Sequence, residues 1–463
     1  MVDAIPTVQT NGSKTVPHLR RVLTLWDLIF YGMVLIQPIA PVPLFGVVQE
    51  RSHGYIVDTI LIALVAMMIT AFSYGRMAAL YPSAGSAYTY VSRGLNHHLG
   101  FLVGWAMILD YLLLPLINAV WVAETIHGWI HRIPTFALLA VFIGAVTFMN
   151  LRGIRASALA NKLLLVSMCA VIGAFAILAV RYIFHFDRWD GVFSALPFYD
   201  PKTFDFGVIR SAVPLAALTY IGFDGVTTLA EDVKNPKRNV LLATVLVCLS
   251  VGVLGGIEAY LAQRVWPGFH FENVTGAFMD ICMRVGGRWM FLAMTLVTIL
   301  AAVGSALTGG LGAARLLFGM GRDNVLPRSV FGHLHPTRNT PNYNIWIIAI
   351  LAFAGGVVLS INGHGYENAA ELLNFGAFIA FMGANFATFW LFGVKRVAGL
   401  KINLLGDVLL PLFGFAFCGW IWLNLNTIAK IVGGLWLAIG IIYLGFRTNW
   451  FREKPVIIDF TEG

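Results

Sequence analysis

Three prolines fall within six residues, Pro38, Pro41 and Pro43, in the middle of an otherwise apolar run, LIQPIAPVPLFG, from Leu35 to Gly46. A proline inside a helix lacks the N–H that would bond the carbonyl four residues back and clashes with that carbonyl. The carbonyls released here are those of Val34, Gln37 and Ile39. In hydrocarbon each unsatisfied carbonyl costs several kcal/mol, so such backbone persists only where it is buried in protein or lines a cavity. A second apolar run, LTYIGFDGVTTLAEDVKNPKRN from Leu218 to Asn239, carries Asp224 between Gly222 and Gly225. Each glycine weakens a helix by about 1 kcal/mol, and a carboxylate at that depth needs a partner, a proton or water. Asp224 either serves a ligand or caps a second half-helix, and both roles require a break. Naked carbonyls and a carboxylate are the groups that hold a cation or an ammonium away from water.

Other residues extend that chemistry. Asp110 and Tyr111 lie in mid-run in a third apolar segment, and an aromatic face also attracts a cation. Gln37, Ile39 and Ala40 belong to the proline-broken stretch, and Tyr220 precedes the glycine-flanked one. Glu231 ends its run beside Asp232. It is read either as an inner-face ion pair or as a proton-coupling group. Glu124, Glu258 and Glu371 also sit in apolar runs, where burial favours a neutral carboxyl, and nothing in the sequence separates them. No nucleophile, cofactor or metal set is expected: the four cysteines show no ligand spacing and the eleven histidines receive no metal role. The run GGLGAARLLFGMG (Gly309 to Gly321) has the look of a nucleotide loop but follows no strand. The chain is therefore not expected to be an enzyme.

The elements that must position these groups follow from composition. The 463 residues are 58% hydrophobic and 12% charged, against about 25% charged in soluble chains. A water-facing surface cannot be assembled from them. Twelve apolar runs are long enough, or nearly so, to cross a bilayer: 26–48, 56–80, 99–130, 134–151, 157–183, 208–231, 240–263, 289–320, 344–361, 367–394, 404–424 and 428–446. With residues 1–24 as a cytoplasmic arm and 447–463 as a cytoplasmic tail, 21 of the 31 Lys and Arg face inward, as the positive-inside rule requires. The net charge of +8 is then loop charge, with no nucleic-acid partner. Residues 1–24 have no apolar stretch of signal-peptide type. The fold class expected is an all-α polytopic membrane protein of 12 transmembrane helices. Breaks at matching places in spans 1 and 6 point to an inverted repeat, spans 1–5 (26–183) and 6–10 (208–394), with a midplane binding site. Spans 11 and 12 (404–446) stand outside it.

Four stretches carry a resemblance to a known family: SYGRMAALYPSAGSAYTYVSRGLNHHLGFLVGWAMILDYLLLP (Ser73 to Pro115), YIGFDGVTTLAEDVKNPKRN (Tyr220 to Asn239), ARLLFGMGRDNVLP (Ala314 to Pro327) and LLNFGAF (Leu372 to Phe378). Through them the chain resembles the amino acid–polyamine–organocation transporters, especially the putrescine-importer-like branch. The resemblance implies the five-plus-five, LeuT-like inverted-repeat fold in a bacterial-type inner membrane. It implies secondary active import of an amino acid or a putrescine-like cationic amine by alternating access, coupled to a proton in preference to sodium or run as exchange. An antiporter, or a transport-dead sensor of the same fold, is the alternative. The substrate-contacting residues it implies are Gln37, Ile39, Ala40, Asp110, Tyr111, Tyr220, Phe223 (as an aromatic gate) and Asp224, with Glu231 and Glu371 as coupling candidates. Three departures stand out. The glycine-serine-glycine-like run of relatives is Gln37-Pro38-Ile39-Ala40-Pro41 here, which removes amide donors for a carboxylate. An Asp of the putrescine-importer branch is replaced by Pro43. The span 5 Lys of some relatives corresponds to Met168.

Overall fold

The computed structural model describes residues 23–82, 85–152, 158–322, 326–335, 340–361, 364–397, 403–453 and 455. Among them every regular element is helical, apart from one parallel bridge between Leu23 and Val233. In chain order the α-helices are α1 (Leu25–Ile36), α2 (Pro41–Arg51), α3 (Ile56–Leu80), α4 (Ser86–Gly94), α5 (His97–Trp129), α6 (Thr135–Leu151), α7 (Ala158–Val192), α8 (Phe206–Ala216), α9 (Pro236–Val265), α10 (Ala277–Arg322), α11 (Arg328–Phe331), α12 (Asn342–Ser360), α13 (Gly365–Thr388), α14 (Leu410–Leu423) and α15 (Thr427–Arg447). Two 3₁₀ segments, Ala217–Tyr220 and Phe223–Asp232, join α8 to α9. Ten segments are long and apolar enough to span a bilayer, and the bent pair α1–α2 makes eleven. α6 is apolar but shorter, at 17 residues.

The outer faces of these helices explain the composition. Val141, Ile177, Leu435, Ile439 and Phe446 are exposed apolar side chains. A belt of that extent is stable only against lipid, so the chain is a multi-pass membrane protein. Inside, α3 packs along α9, and α1 and the second 3₁₀ segment join the same group. α5 packs against α13, α10, α6 and α12. Two ion pairs tie distant elements together: Arg76 on α3 reaches Asp407 at 2.6 Å, and Arg51 at the end of α2 reaches Glu367 at 2.5 Å and Glu371 on α13.

Two features were not foreseen from the sequence. α10 begins twelve residues before the expected span, and Gly287 (φ 67°, ψ −162°) separates its first stretch, Ala277–Gly286, from the rest. Phe278, Ile281 and Cys282 of this stretch are buried. Phe278 stands edge-on to Phe45 of α2, centroids 5.6 Å apart, and packs on Phe175 of α7. α2 also approaches the chain just before this stretch so closely that a Cβ on Gly46 would lie 1.9 Å from the Val274 carbonyl oxygen. The obstacle is backbone, which cannot swing aside. Gly46→Val is expected to destabilise the protein by about 2 kcal/mol, as overpacking does, read as a lowered melting temperature in detergent. An unchanged melting temperature would mean that α2 can draw back.

Candidate functional site

The first break is built by the prolines. α1 ends at Ile36 and α2 starts at Pro41, with a 54° bend between them. Gln37 at the corner takes φ 69°, ψ 118°, a region that non-glycine residues avoid. Its side chain holds it there: Nε2 donates to the Ala301 carbonyl of α10 at 2.9 Å. The expectation of three free carbonyls needs correcting. The Gln37 oxygen accepts from Ala40 N and the Ile39 oxygen from Val42 N, both at 3.0 Å. Short i→i+3 turns satisfy them locally, which leaves the Val34 carbonyl as the one without its helical partner.

The second break follows a different route. Helix α8 tightens into the 3₁₀ turn Ala217–Tyr220, and Ile221 is extended. Gly222 then takes φ 111°, a left-handed value at which a side chain would be strained. The ten-residue 3₁₀ segment that follows is unusually long for its kind. Side chains from other helices stabilise the region. Asn374 Nδ2 of α13 donates to the Pro214 carbonyl at 2.6 Å, and Tyr220 Oη donates to the Ile60 carbonyl at 2.9 Å.

Between the two breaks lies a cavity of about 1570 Å³. Gln37, Ile39, Ala40, Asp110, Tyr111 and Asp224 all line it, so three elements far apart in sequence converge. Asp224 is 7% exposed and Asp110 8%. Asp224 stands at the start of the second 3₁₀ segment, where Gly225 N donates to the Gly222 carbonyl at 3.0 Å. Asp110 Oδ1 meets no donor among the described residues. Pro115, one turn on in α5, removes the amide that would bond the Tyr111 carbonyl. The cavity thus offers two carboxylates, phenol rings and backbone oxygens, a set that fits ammonium groups.

The cavity runs from this centre to Asp27, Lys162, Arg315 and Arg322, at the end of the bundle where α10 finishes. The opposite end is shut. Phe45 and Phe278 close on each other there, and the Trp121 indole donates to the Thr275 carbonyl at 3.1 Å. Glu371, 0% exposed, takes Arg51 and the Asn426 amide.

The remaining expected site residues lie elsewhere. Tyr220 and Phe223 are fully buried and off the cavity wall. Phe223 sits in an aromatic cluster, 5.4 Å from Tyr74 and 5.1 Å from Phe381 between centroids. Glu371 belongs to the closed end. Glu231 lies on the second 3₁₀ segment, but its side chain is outside the described residues. Residues not anticipated also reach the cavity, Tyr31, Tyr88, Asn118 and Ser305 among them. Asn118 Nδ2 donates to Leu114 O at 2.7 Å and Ser305 Oγ at 3.1 Å. A signal for Asn118 was present: Asp110, Leu114 and Asn118 are spaced four apart, which places them on one helix face. Among the described residues no group of three His, Cys, Asp or Glu side chains is placed to hold a metal ion.

A lipid-embedded helical bundle with two interrupted helices facing a polar cavity, closed at one end, has the build of a membrane carrier. The chain belongs to the amino acid permease family, whose sequence profile matches residues 23–446. It is 31% identical over 450 residues to the low-affinity putrescine importer PlaP of Escherichia coli K12, covering 96% of this chain and 97% of that protein. It is 24% identical to the branched-chain amino acid permease BcaP of Bacillus subtilis, over 94% and 93% of the two chains. The vacuolar cationic amino acid transporter 4 of Arabidopsis thaliana is 27% identical over 82% of this chain and 64% of its own.

Proposed function

We propose that this protein is a secondary active transporter that imports an amino acid or a putrescine-like cationic amine by alternating access. The observation that carries the reading is the convergence of Asp110 and Asp224 on one cavity between the two helix breaks. Two carboxylates in a site of low dielectric favour a ligand with one or two ammonium groups. Likeness over nearly the full chain to a putrescine importer supports the amine. The branched-chain and cationic amino acid relatives keep amino acids in the substrate class.

In this reading α6 and the bent pair α1–α2 complete twelve spans, of which ten form the inverted repeat. Both termini lie in the cytoplasm and the membrane is the inner one. The Arg322 end of the cavity then faces inward and the Arg51 end outward. Substrate enters from outside, docks between the breaks and leaves at the inner end as α1, α3 and α9 rock against α5 and α13. A proton drives accumulation. The test is uptake by the purified protein in liposomes, with radiolabelled putrescine, lysine and leucine each offered with and without an inward proton gradient. Saturable uptake of one of them, increased by the gradient, is expected. Absence of uptake and of counterflow across the panel would reject import.

A further inference from the structure

Glu124, Glu258 and Glu371 are equivalent in the sequence, but their surroundings differ. Glu124 accepts from the Gly365 and Tyr366 amides at 3.0 and 3.4 Å, at the start of α13. Glu371 has Arg51 and the Asn426 amide. Glu258 on α9 is 1% exposed, and among the described residues neither of its carboxyl oxygens meets a hydrogen-bond donor. It does not line the cavity. A bare carboxyl adds nothing to packing that an apolar side chain would not do better, and as an anion in a dry site it is very costly. Inside a membrane, such a group points to function.

Its surroundings point to what that function is. The thiol of Cys282, on the stretch Ala277–Gly286, is within electrostatic reach of Glu258. Phe278, one turn earlier on the same face, stands edge-on to Phe45 of α2, next to Leu44 on the cavity wall. One short segment therefore packs on α2 beside the cavity and lies near Glu258, and it joins the rest of α10 through the positive-φ hinge at Gly287. Gly255, one turn before Glu258, packs against Pro41 and Thr219, so this part of α9 also backs onto both helix breaks.

Other titratable groups stand on the neighbouring elements, Asp58 Oδ2 among them without a donor among the described residues. Cys169 of α7 is within electrostatic reach as a thiol. Asp58 lies in the first turn of α3. Tyr220 bonds the Ile60 carbonyl. On α9, Tyr260 bonds the Val192 and Ser194 carbonyls, and Arg264 bonds Gly191 O and Asp187. On α10, Asp280 lies in the field of Glu272 and Arg284 stacks over Trp266. Among the described residues, none forms an ion pair with Glu258.

We infer that Glu258 is a proton-binding site that controls the outer closure: the segment Ala277–Gly286 shuts only over the neutral acid. When the segment lifts, water reaches the carboxyl and it ionises, giving its proton to solvent. To close, the carboxylate must take one proton back. Acid therefore favours the conformation described here. The inside–outside assignment rests on the import reading, but the linkage between proton and closure does not.

Cys282 is a built-in reporter, since it is buried here and accessible only when the segment lifts. The labelling rate of free N-acetylcysteine in the same buffers corrects for the intrinsic pH dependence of thiol chemistry. The purified protein is labelled with a maleimide at a series of pH values without substrate, and Cys282 is quantified by mass spectrometry. In wild type the ratio of Cys282 labelling to that of the free thiol should rise with pH, approaching roughly tenfold per unit, the limit for one linked proton. Glu258→Gln and Glu258→Leu, both permanently neutral, should show a low ratio at every pH. The leucine variant keeps the test open if the amide, which needs partners of its own, prevents folding. A flat wild-type ratio, or a variant that follows the wild-type curve, would overturn the proposal. Because no substrate is used, failure of the uptake panel leaves this result independent.

Discussion

Asp224→Asn should abolish binding of a cationic substrate while the protein stays folded. Asp224 stands at the start of a 3₁₀ segment and lines the same cavity as Asp110. Asparagine keeps the shape, and the break, set by Gly222 at φ 111°, survives. What disappears is the negative charge opposite an ammonium that has left water. Removing one partner of a desolvated charge pair costs about 2–5 kcal/mol, so affinity should fall about 30-fold or more. Binding of radiolabelled amine by scintillation proximity, beside a melting curve in detergent, separates lost affinity from lost structure. Wild-type affinity in a normally folded variant would remove Asp224 from the site.

Arg51→Met should cost about 3 kcal/mol of stability, the scale of breaking a buried ion pair. Arg51 ends the second half of the broken first span and joins Glu367 and Glu371 of α13. Glu371 is fully buried, and without the guanidinium it keeps only the Asn426 amide. Adding Glu371→Gln to the variant should recover part of the loss, because the stranded charge is then gone. Melting temperatures of wild type, single and double variants make the measurement. A single variant as stable as wild type would mean that water replaces the arginine at this end.

Much of the fold is legible in the sequence because its causes are covalent or compositional. Pro38, Pro41 and Pro43 have no N–H wherever they are placed, so the first span had to break. Gly222 takes φ 111°, which a side chain there would not tolerate, and it marks the second break. The apolar runs located the helices to within a few residues in most cases. α10 is an exception, because its first ten residues are short and interrupted at Gly287 and give no span-length signal. The number of free carbonyls was also misjudged. Two of the three were satisfied by turns whose closure depends on local φ and ψ, which residue identity alone does not specify.

The candidate site divides along the same line. Residue type and depth alone marked Asp110 and Asp224 as unusual, because a carboxylate in an apolar run needs a reason. Tertiary structure alone brought both to one cavity, moved Tyr220 and Phe223 behind its wall, and gave Glu371 an arginine. Gln37 meets Ala301 across 264 residues of chain and Arg51 meets Glu371 across 320. Contacts of that separation depend on how helices pack, and helix packing is set by many weak apolar contacts at once. A single chain therefore declares where its backbone must break and which charges are out of place, while the packed bundle decides which of those charges share a cavity, which are paired, and that Glu258 is left with no partner among the described residues.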